Sequence, residues 1–294
     1  MEEVITKEYV KSLLPKREQN SHKGTFGSVL NISGSINYRG AAFLSTKSAL
    51  KIGAGYVELA SINEVINSVS TLCPEAVFIP LEQKNGTIKS CEYKKIINIL
   101  PKIKTILLGC GISSLNSNLN EIESFIKNII LNIKNIEIPV IIDADGLNII
   151  ARLNITNLPL NTIMTPHPAE LSRLLNINLS EIQNNRVKYA KIAAKKYNSV
   201  VVLKGRNTVI TDGERIFISN TGNSALAKAG TGDVLAGIVA GLCAQNVKIL
   251  DAAVLGVYIH GLAGEIASER LSQYSVNASE LIDFIPISIL EILV

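Results

Sequence analysis

The chain has 294 residues, 47% of them hydrophobic and 18% charged, with a formal net charge of +4. That length carries one large α/β domain or two smaller ones, and the balance is that of a folded globule, not of a disordered or low-complexity chain. The small net charge, the absence of tryptophan and the lack of a basic stripe interleaved with aromatics argue against a nucleic-acid partner. The start, Met1-Glu2-Glu3-Val4, lacks the basic and apolar regions of a signal peptide. No apolar segment is expected to approach the length of a membrane span, so no membrane role is expected. Cys73, Cys91, Cys110 and Cys243 are scattered without zinc or redox spacing, and read as free thiols of a cytoplasmic protein.

Taken in chain order, short runs rich in β-branched residues alternate with helical patterns. Residues 29–32, 56–60, 76–79, 105–108, 140–142, 162–164 and 200–203 are predicted strands, mostly continuous apolar runs as expected where both faces are covered. Residues 41–52, 63–70, 93–100, 119–131, 182–196, 234–244 and 250–271 are predicted helices, and 234–244 reads as a buried one. The alternation predicts an α/β fold with a mostly parallel central sheet and helices on both faces. Residues 207–210 and 216–219, flanking Thr211-Asp212-Gly213-Glu214, predict a hairpin at one side of the sheet. With no linker and no internal repeat, residues 1–294 read as a single domain.

Ligands of open α/β sheets bind beyond the carboxyl ends of the strands, and polar, glycine-rich clusters recur there. The clearest is Gly230-Thr231-Gly232-Asp233, which opens the helix at 234–244. A glycine turn at a helix N-terminus offers outward-pointing amides to phosphate oxygens. A carboxylate in the same turn is a poor phosphate ligand but a good base, so Asp233 is a candidate general base, with a plain N-cap as the bland reading. Asn223 precedes this turn, and Lys228 within the stretch either neutralises phosphate or is solvated. Lys204-Gly205-Arg206-Asn207-Thr208 follows a buried strand and suits nucleotide contact. His167, stiffened between Pro166 and Pro168, is a candidate substrate contact, with Glu170 three residues on. Asp143, Asp145 and Asn148 either support a magnesium site or cap the next helix. Neither the phosphate loop of the common nucleotide hydrolases nor the dinucleotide fingerprint is present. Gly53-Ala54-Gly55 reads as a tight structural turn, and His260 as a core or interface histidine.

In this order, Lys23-Gly24-x-x-Gly27, Gly34-Ser35, Gly40-Ala41-Ala42, Gly53-Ala54-Gly55, Pro74-Glu75-Ala76, Asp143-Ala144-Asp145-Gly146-Leu147-Asn148, Thr165-Pro166-His167-Pro168-Ala169-Glu170 and the stretch from Asn223 to Asp233 resemble the ADP/ATP-dependent NAD(P)H-hydrate dehydratase family, over nearly the full chain. The resemblance implies a three-layer α/β/α ribokinase-like fold and a cofactor-repair reaction. In it, the C6 hydroxyl of hydrated NADH or NADPH is phosphorylated by ADP with Mg²⁺, and phosphate is then eliminated. It further implies that Asp233 is the base, that Ala42, Gly111, His167 and Asp233 line the hydrated cofactor, and that Lys204, Gly205, Arg206, Asn207, Thr208, Gly230, Thr231 and Gly232 meet the nucleotide. Asp145, Asn148, Glu170 and Asn223 would be supporting residues, with the metal ligands unassigned. A homotetramer and a separate epimerase partner are implied as well. The chain departs from the family at Gly109-Cys110-Gly111-Ile112-Ser113, where Gly-Pro-Gly-Leu/Ile-Gly is usual. Two other readings remain at this point: a ribokinase-like kinase of a vitamin-precursor alcohol, and a non-catalytic nucleotide-binding regulator.

Overall fold

A computed structural model describes residues 2–113 and 119–294. Its elements, in chain order, are β1 (Glu2–Val4), α1 (Lys7–Leu13), β2 (Ser28–Ile32), α2 (Arg39–Lys51), β3 (Tyr56–Ile62), α3 (Asn63–Leu72), β4 (Val77–Leu81), β5 (Gln83–Lys84), β6 (Thr87–Ile88), α4 (Tyr93–Ile99), β7 (Thr105–Leu108), α5 (Leu119–Ile133), β8 (Val140–Ile142), α6 (Asp145–Leu153), β9 (Thr162–Met164), α7 (Pro168–Leu175), α8 (Leu179–Asn184), α9 (Arg186–Tyr197), β10 (Val200–Leu203), β11 (Thr208–Thr211), β12 (Ile216–Ser219), α10 (Thr231–Ala244), α11 (Ile249–Leu271) and α12 (Ala278–Leu293).

Ten strands form one sheet in the order β1-β12-β11-β10-β9-β8-β7-β2-β3-β4. From β4 through β10 every neighbouring pair is parallel; β11 is antiparallel to both its neighbours, and β1 closes the edge parallel to β12. The central strands β7, β8, β9 and β10 are buried at every residue, which is why their sequences run apolar without alternation. One core lies between the sheet and the α3–α9 side. The other lies between the sheet and α1, α10, α11 and α12, with the last turns of α2. This is the expected three-layer α/β/α arrangement.

Helix α5 buries Ile122, Phe125, Ile126, Ile129, Ile130 and Ile133, one face at helical spacing. Helix α10 is buried almost all round, because it lies between the sheet, α2 and α11. A Cβ on Gly237 would strike the Ser45 carbonyl, and one on Gly241 would lie 2.7 Å from the Ala49 carbonyl oxygen. These two glycines therefore let α2 and α10 touch backbone to backbone, which fixes the first turn of α10 beside the start of α2.

Several expectations need correction. The strand expected at 76–79 is Val77–Leu81, an edge strand that accommodates Pro80. The helix expected at 182–196 is two helices, divided at Asn185, whose ψ of 50° leaves the helical region. Helices α6, α7 and α12, strand β1 and helix α1 were not expected, nor was the β5–β6 hairpin around Asn85-Gly86, both at positive φ. Finally, α11 is by length and composition apolar enough to cross a membrane, against the expectation that no segment approaches that length. Two-thirds of its most apolar stretch (67%) is buried inside the protein, as befits a core helix.

Candidate active site

Strand order reverses direction at β2: β3 and β4 build outward on one side, β7 to β10 on the other. The crevice beyond such a switch point is where open α/β sheets hold ligands. Two loops are stitched together there. The Gly34 amide donates to the Cys110 carbonyl at 2.9 Å, and the Gly109 amide to the Ile32 carbonyl at 3.2 Å. Gly34, Gly109 and Gly111 all have positive φ, which glycine adopts without strain. The Asp145 carboxylate accepts from the Ser113 amide at 3.0 Å and so pins the loop that carries the Cys110 and Ser113 departures.

Asp143, at the end of β8, ties four strand ends together. Its Oδ1 accepts from Thr165 Oγ1 after β9 and from Lys204 Nζ after β10, both at 2.7 Å. Its Oδ2 receives a longer contact, 4.0 Å, from the Cys110 thiol after β7. Lys204 also faces Glu170 at 3.9 Å. Burial would drive the proton from Lys204, but Asp143 and Glu170 outweigh it and hold the ammonium above its usual range. Lys204 is thus a fixed interior cation, not a strand-end lysine in solvent.

Asp233 stands in the first turn of α10 next to this pair. Burial foremost, and then the negative charge of Asp143, push its carboxyl up to about 7; the Cys110 thiol and Lys204 act in the opposite direction. A carboxylate with that affinity takes a proton readily near neutral pH, as a general base should. Gly232 precedes it, and a Cβ there would lie 3.3 Å from Lys204 Nζ and 3.9 Å from Asp143 Oδ2. Glycine keeps that gap open. Gly230 has a φ of 90°, and a Cβ there would come within 2.5 Å of Leu44 and 3.0 Å of Ala278. Cys110 Sγ and oxygens of Asp143 and Asp233 lie within 4.8 Å of one another. A hard ion such as Mg²⁺ prefers oxygen to sulfur. Asp143 Oδ2, which carries nothing but the long thiol contact, fits such an ion in company with phosphate oxygens.

A cavity of about 610 Å³ opens from Gly232. Lys204, Gly205, Arg206 and Thr208 line one side, Thr221 to Ser224 another, and Leu226, Leu235, Val257 and Gly261 give it an apolar part. Of the predicted nucleotide residues, Asn207 and Gly230 are not in the lining; Asn207 holds the left-handed corner of its turn at φ 55°, and Gly230 packs against Leu44 and Ala278. Thr208 Oγ1 donates to the Gly205 carbonyl, and Thr231 Oγ1 to the Leu226 and Lys228 carbonyls, so both hydroxyls serve the loops that carry them. Asn223 lines the cavity while bonding Ser268 and the Ala225 amide. Lys228 reaches the Tyr274 carbonyl at 2.6 Å.

His167 caps α7. Its Nδ1 accepts from the Ala169 and Glu170 amides at 3.1 and 3.3 Å, which places the ring hydrogen on Nε2, 3.4 Å from Glu170 Oε1. Burial, Lys204 and Arg173 lower its proton affinity and keep it neutral. Glu170 returns the bond from the His167 amide at 2.8 Å, and burial pushes its carboxyl up to about 7. Gly111 packs against Tyr38 and Ala41 at the start of α2. Ala42 is fully buried beneath Gly34 and offers no surface to a ligand; its neighbour Ala41 is half-buried. Asn148 accepts from Arg173 at 2.8 Å and joins α6 to α7. The sequence offers Asp143 only as one of a cluster that supports a magnesium site or caps a helix, and it gives no site role to Cys110 or His260. Asp143 had a signal, as the first polar residue after a buried strand. His260 had none, because its partner lies 29 residues away in the chain.

A family model for NAD(P)H-hydrate dehydratase matches residues 29–287. A bifunctional NAD(P)H-hydrate repair enzyme of Moorella thermoacetica is 34% identical over 96% of this chain, and the chain spans about half (53%) of its length. An ADP-dependent (S)-NAD(P)H-hydrate dehydratase of Bacillus subtilis is 32% identical, over 96% of this chain and 95% of that protein. Among solved structures, ADP/ATP-dependent NAD(P)H-hydrate dehydratase from Bacillus subtilis, co-crystallised with ATP/Mg²⁺, has a TM-score of 0.84 at 31% identity, covering 99% of this chain and 98% of that one. A ribokinase-like superfamily protein of Enterococcus faecalis, at 24% identity and a TM-score of 0.86 over 99% of this chain and 96% of its own, shares the fold.

Proposed function

Because the chain belongs to the NAD(P)H-hydrate dehydratase family, we propose that it uses ADP to convert hydrated NADH or NADPH back to the reduced cofactor, giving AMP and phosphate. The observation that carries this reading is the position of Asp233. Its carboxyl, pushed up to about 7 and under the pull of the Lys204 ammonium, follows directly on Gly232, which lines the cavity together with Lys204. A group that takes a proton lies beside groups that grip an anion.

The nucleotide occupies the 610 Å³ cavity with its terminal phosphate toward Gly232. The hydrated nicotinamide enters the crevice between Gly111, His167 and Asp233. Asp233 takes the proton of the C6 hydroxyl as its oxygen attacks the terminal phosphorus of ADP, and AMP leaves. The ring nitrogen then pushes phosphate off C6, and loss of a C5 proton completes the double bond. Hydroxide leaves poorly and phosphate leaves well, which is why the hydroxyl is phosphorylated first. The site's part is alignment and charge, as in other phosphoryl transfers. Asp143 would hold Mg²⁺ here, and the ion would supply further charge neutralisation when bound. His167 Nε2–H and Gly111 orient the substrate. A separate epimerase interconverts the two hydrate epimers, and the chain acts as a homo-oligomer.

Incubation with hydrated NADH and ADP tests the proposal: the reduced-nicotinamide absorbance is expected to return with stoichiometric AMP and phosphate. No recovery with either ADP or ATP overturns it.

A further inference from the structure

His260 has no part in the reaction as described, yet it lines the same cavity from the middle of α11. It is buried, and its Nε2 lies 2.8 Å from the carbonyl oxygen of Thr231. A carbonyl oxygen only accepts, so Nε2 carries the hydrogen. Burial, against the pull of that carbonyl and with help from Lys204, holds the imidazole down at about 4, so the ring is neutral at working pH and Nδ1 is bare.

The carbonyl it holds belongs to the peptide that joins Thr231 to Gly232. A trans peptide is planar, and its C=O and N–H point in opposite directions. Fixing the Thr231 carbonyl therefore fixes where the Gly232 N–H points. This N–H is among the unpaired donors of the first turn of α10, which face a bound anion. The turn needs an anchor. Two of the four residues Gly230-Thr231-Gly232-Asp233 are glycines, and Gly230 is at φ 90°. The Thr231 hydroxyl is committed to the Leu226 and Lys228 carbonyls.

We propose that His260 is a positioning residue for the phosphoryl donor: its Nε2–H clamps the Thr231–Gly232 peptide so that the Gly232 amide meets the terminal phosphate. This rests on the reading of the cavity as the nucleotide site. The clamp also polarises the peptide, which strengthens the amide as a donor.

Calorimetric titration of the whole protein with ADP, beside steady-state kinetics with hydrated NADH, tests it. His260→Leu keeps the bulk but loses the donor. It is expected to weaken ADP binding about tenfold, with KM for hydrated NADH within about twofold. His260→Gln, whose amide N–H₂ can reach the same carbonyl, is expected to recover most of the loss. If His260→Leu binds ADP as wild type does, or if His260→Gln is as impaired as His260→Leu, the inference is overturned while the nucleotide reading stands. Wild-type protein that takes up no ADP overturns both. Long-range ¹H–¹⁵N spectra of wild-type protein need no variant to fold: the Nε2–H tautomer is expected, and the Nδ1–H tautomer overturns the clamp.

Discussion

Glycine does different work at the two ends of the central sheet. At the amino ends of the strands, Gly27 and Gly55 let backbones touch: a Cβ on Gly27 would strike the Ala244 carbonyl, and one on Gly55 the Lys23 carbonyl. Polar groups there pair with one another around Arg17, which bonds the Gly53 carbonyl and Gln245 while stacking on Phe26. At the carboxyl ends, Gly232 borders the open cavity, and the charges beside it do not balance. Asp143, Glu170 and Asp233 face one part-buried ammonium, Lys204. Burial foremost, and then the charge of Asp143, pushes two of those carboxyls up to about 7. The same residue type closes one end of the molecule and holds the other open, and strained ionisation accompanies the open end.

The sharpest way to break this contrast is to remove the unsatisfied charge itself. Asp233→Asn is expected to lower kcat by about 10²–10⁴-fold, the usual worth of a general base, while ADP still binds in calorimetry. It should also stabilise the fold at alkaline pH. The folded-state carboxyl is raised from 3.8 to about 7, so its contribution to stability is present below about 4 and is lost as pH rises to about 7. Thermal melts at pH 8 should therefore give a higher Tm for the variant. Equal or lower Tm would show that the carboxylate is not strained in the fold.

Gly232→Ala comes next. Its Cβ would enter the 3.3 Å gap before Lys204 Nζ. The methyl would stand where the terminal phosphate meets the Gly232 amide and is expected to weaken ADP binding about tenfold, or about 1.4 kcal/mol, with little change in melting temperature. A smaller effect follows at Asp143. Its charge helps to raise Asp233, so the acid limb of the kcat/KM profile, expected near pH 7 in wild type, should move to lower pH in Asp143→Asn. Glu170 titrates in the same range, so Glu170→Gln is the control that assigns the limb.

The contrast was half legible in the sequence. The buried strands declared themselves because both faces are covered and their runs are apolar throughout, and the glycine–Asp turn declared itself by density. Helices α6 and α7 did not. Each begins inside a polar cluster, at Asp145 and at Pro168 after His167, where chemistry and capping use the same residue types. Helix α12 was hidden by Pro286 within it. The ion pair of Asp143 with Lys204, 61 residues apart, and the reach of His260 to Thr231 arise from tertiary packing and leave no local mark. Ala42 shows the converse: a motif position that packs beneath the site and does not face it.

The smallest effect is expected at the amino ends of the strands, and it completes the comparison. Arg17 Nη2 donates to the Gly53 carbonyl at 2.6 Å and to Gln245 Oε1 at 2.8 Å, with its guanidinium 3.9 Å from the centre of the Phe26 ring. Arg17→Ala removes these contacts from a partly exposed position, at a cost of about 1–2 kcal/mol in urea unfolding. The Gly53 turn lies at the opposite end of the strands from Asp233. Its loosening should therefore leave kcat, KM for hydrated NADH and the acid limb of the pH profile at wild-type values in the folded protein. A shifted limb in Arg17→Ala would mean that the two ends are electrostatically or mechanically coupled through the sheet, and that the division of labour between them is false.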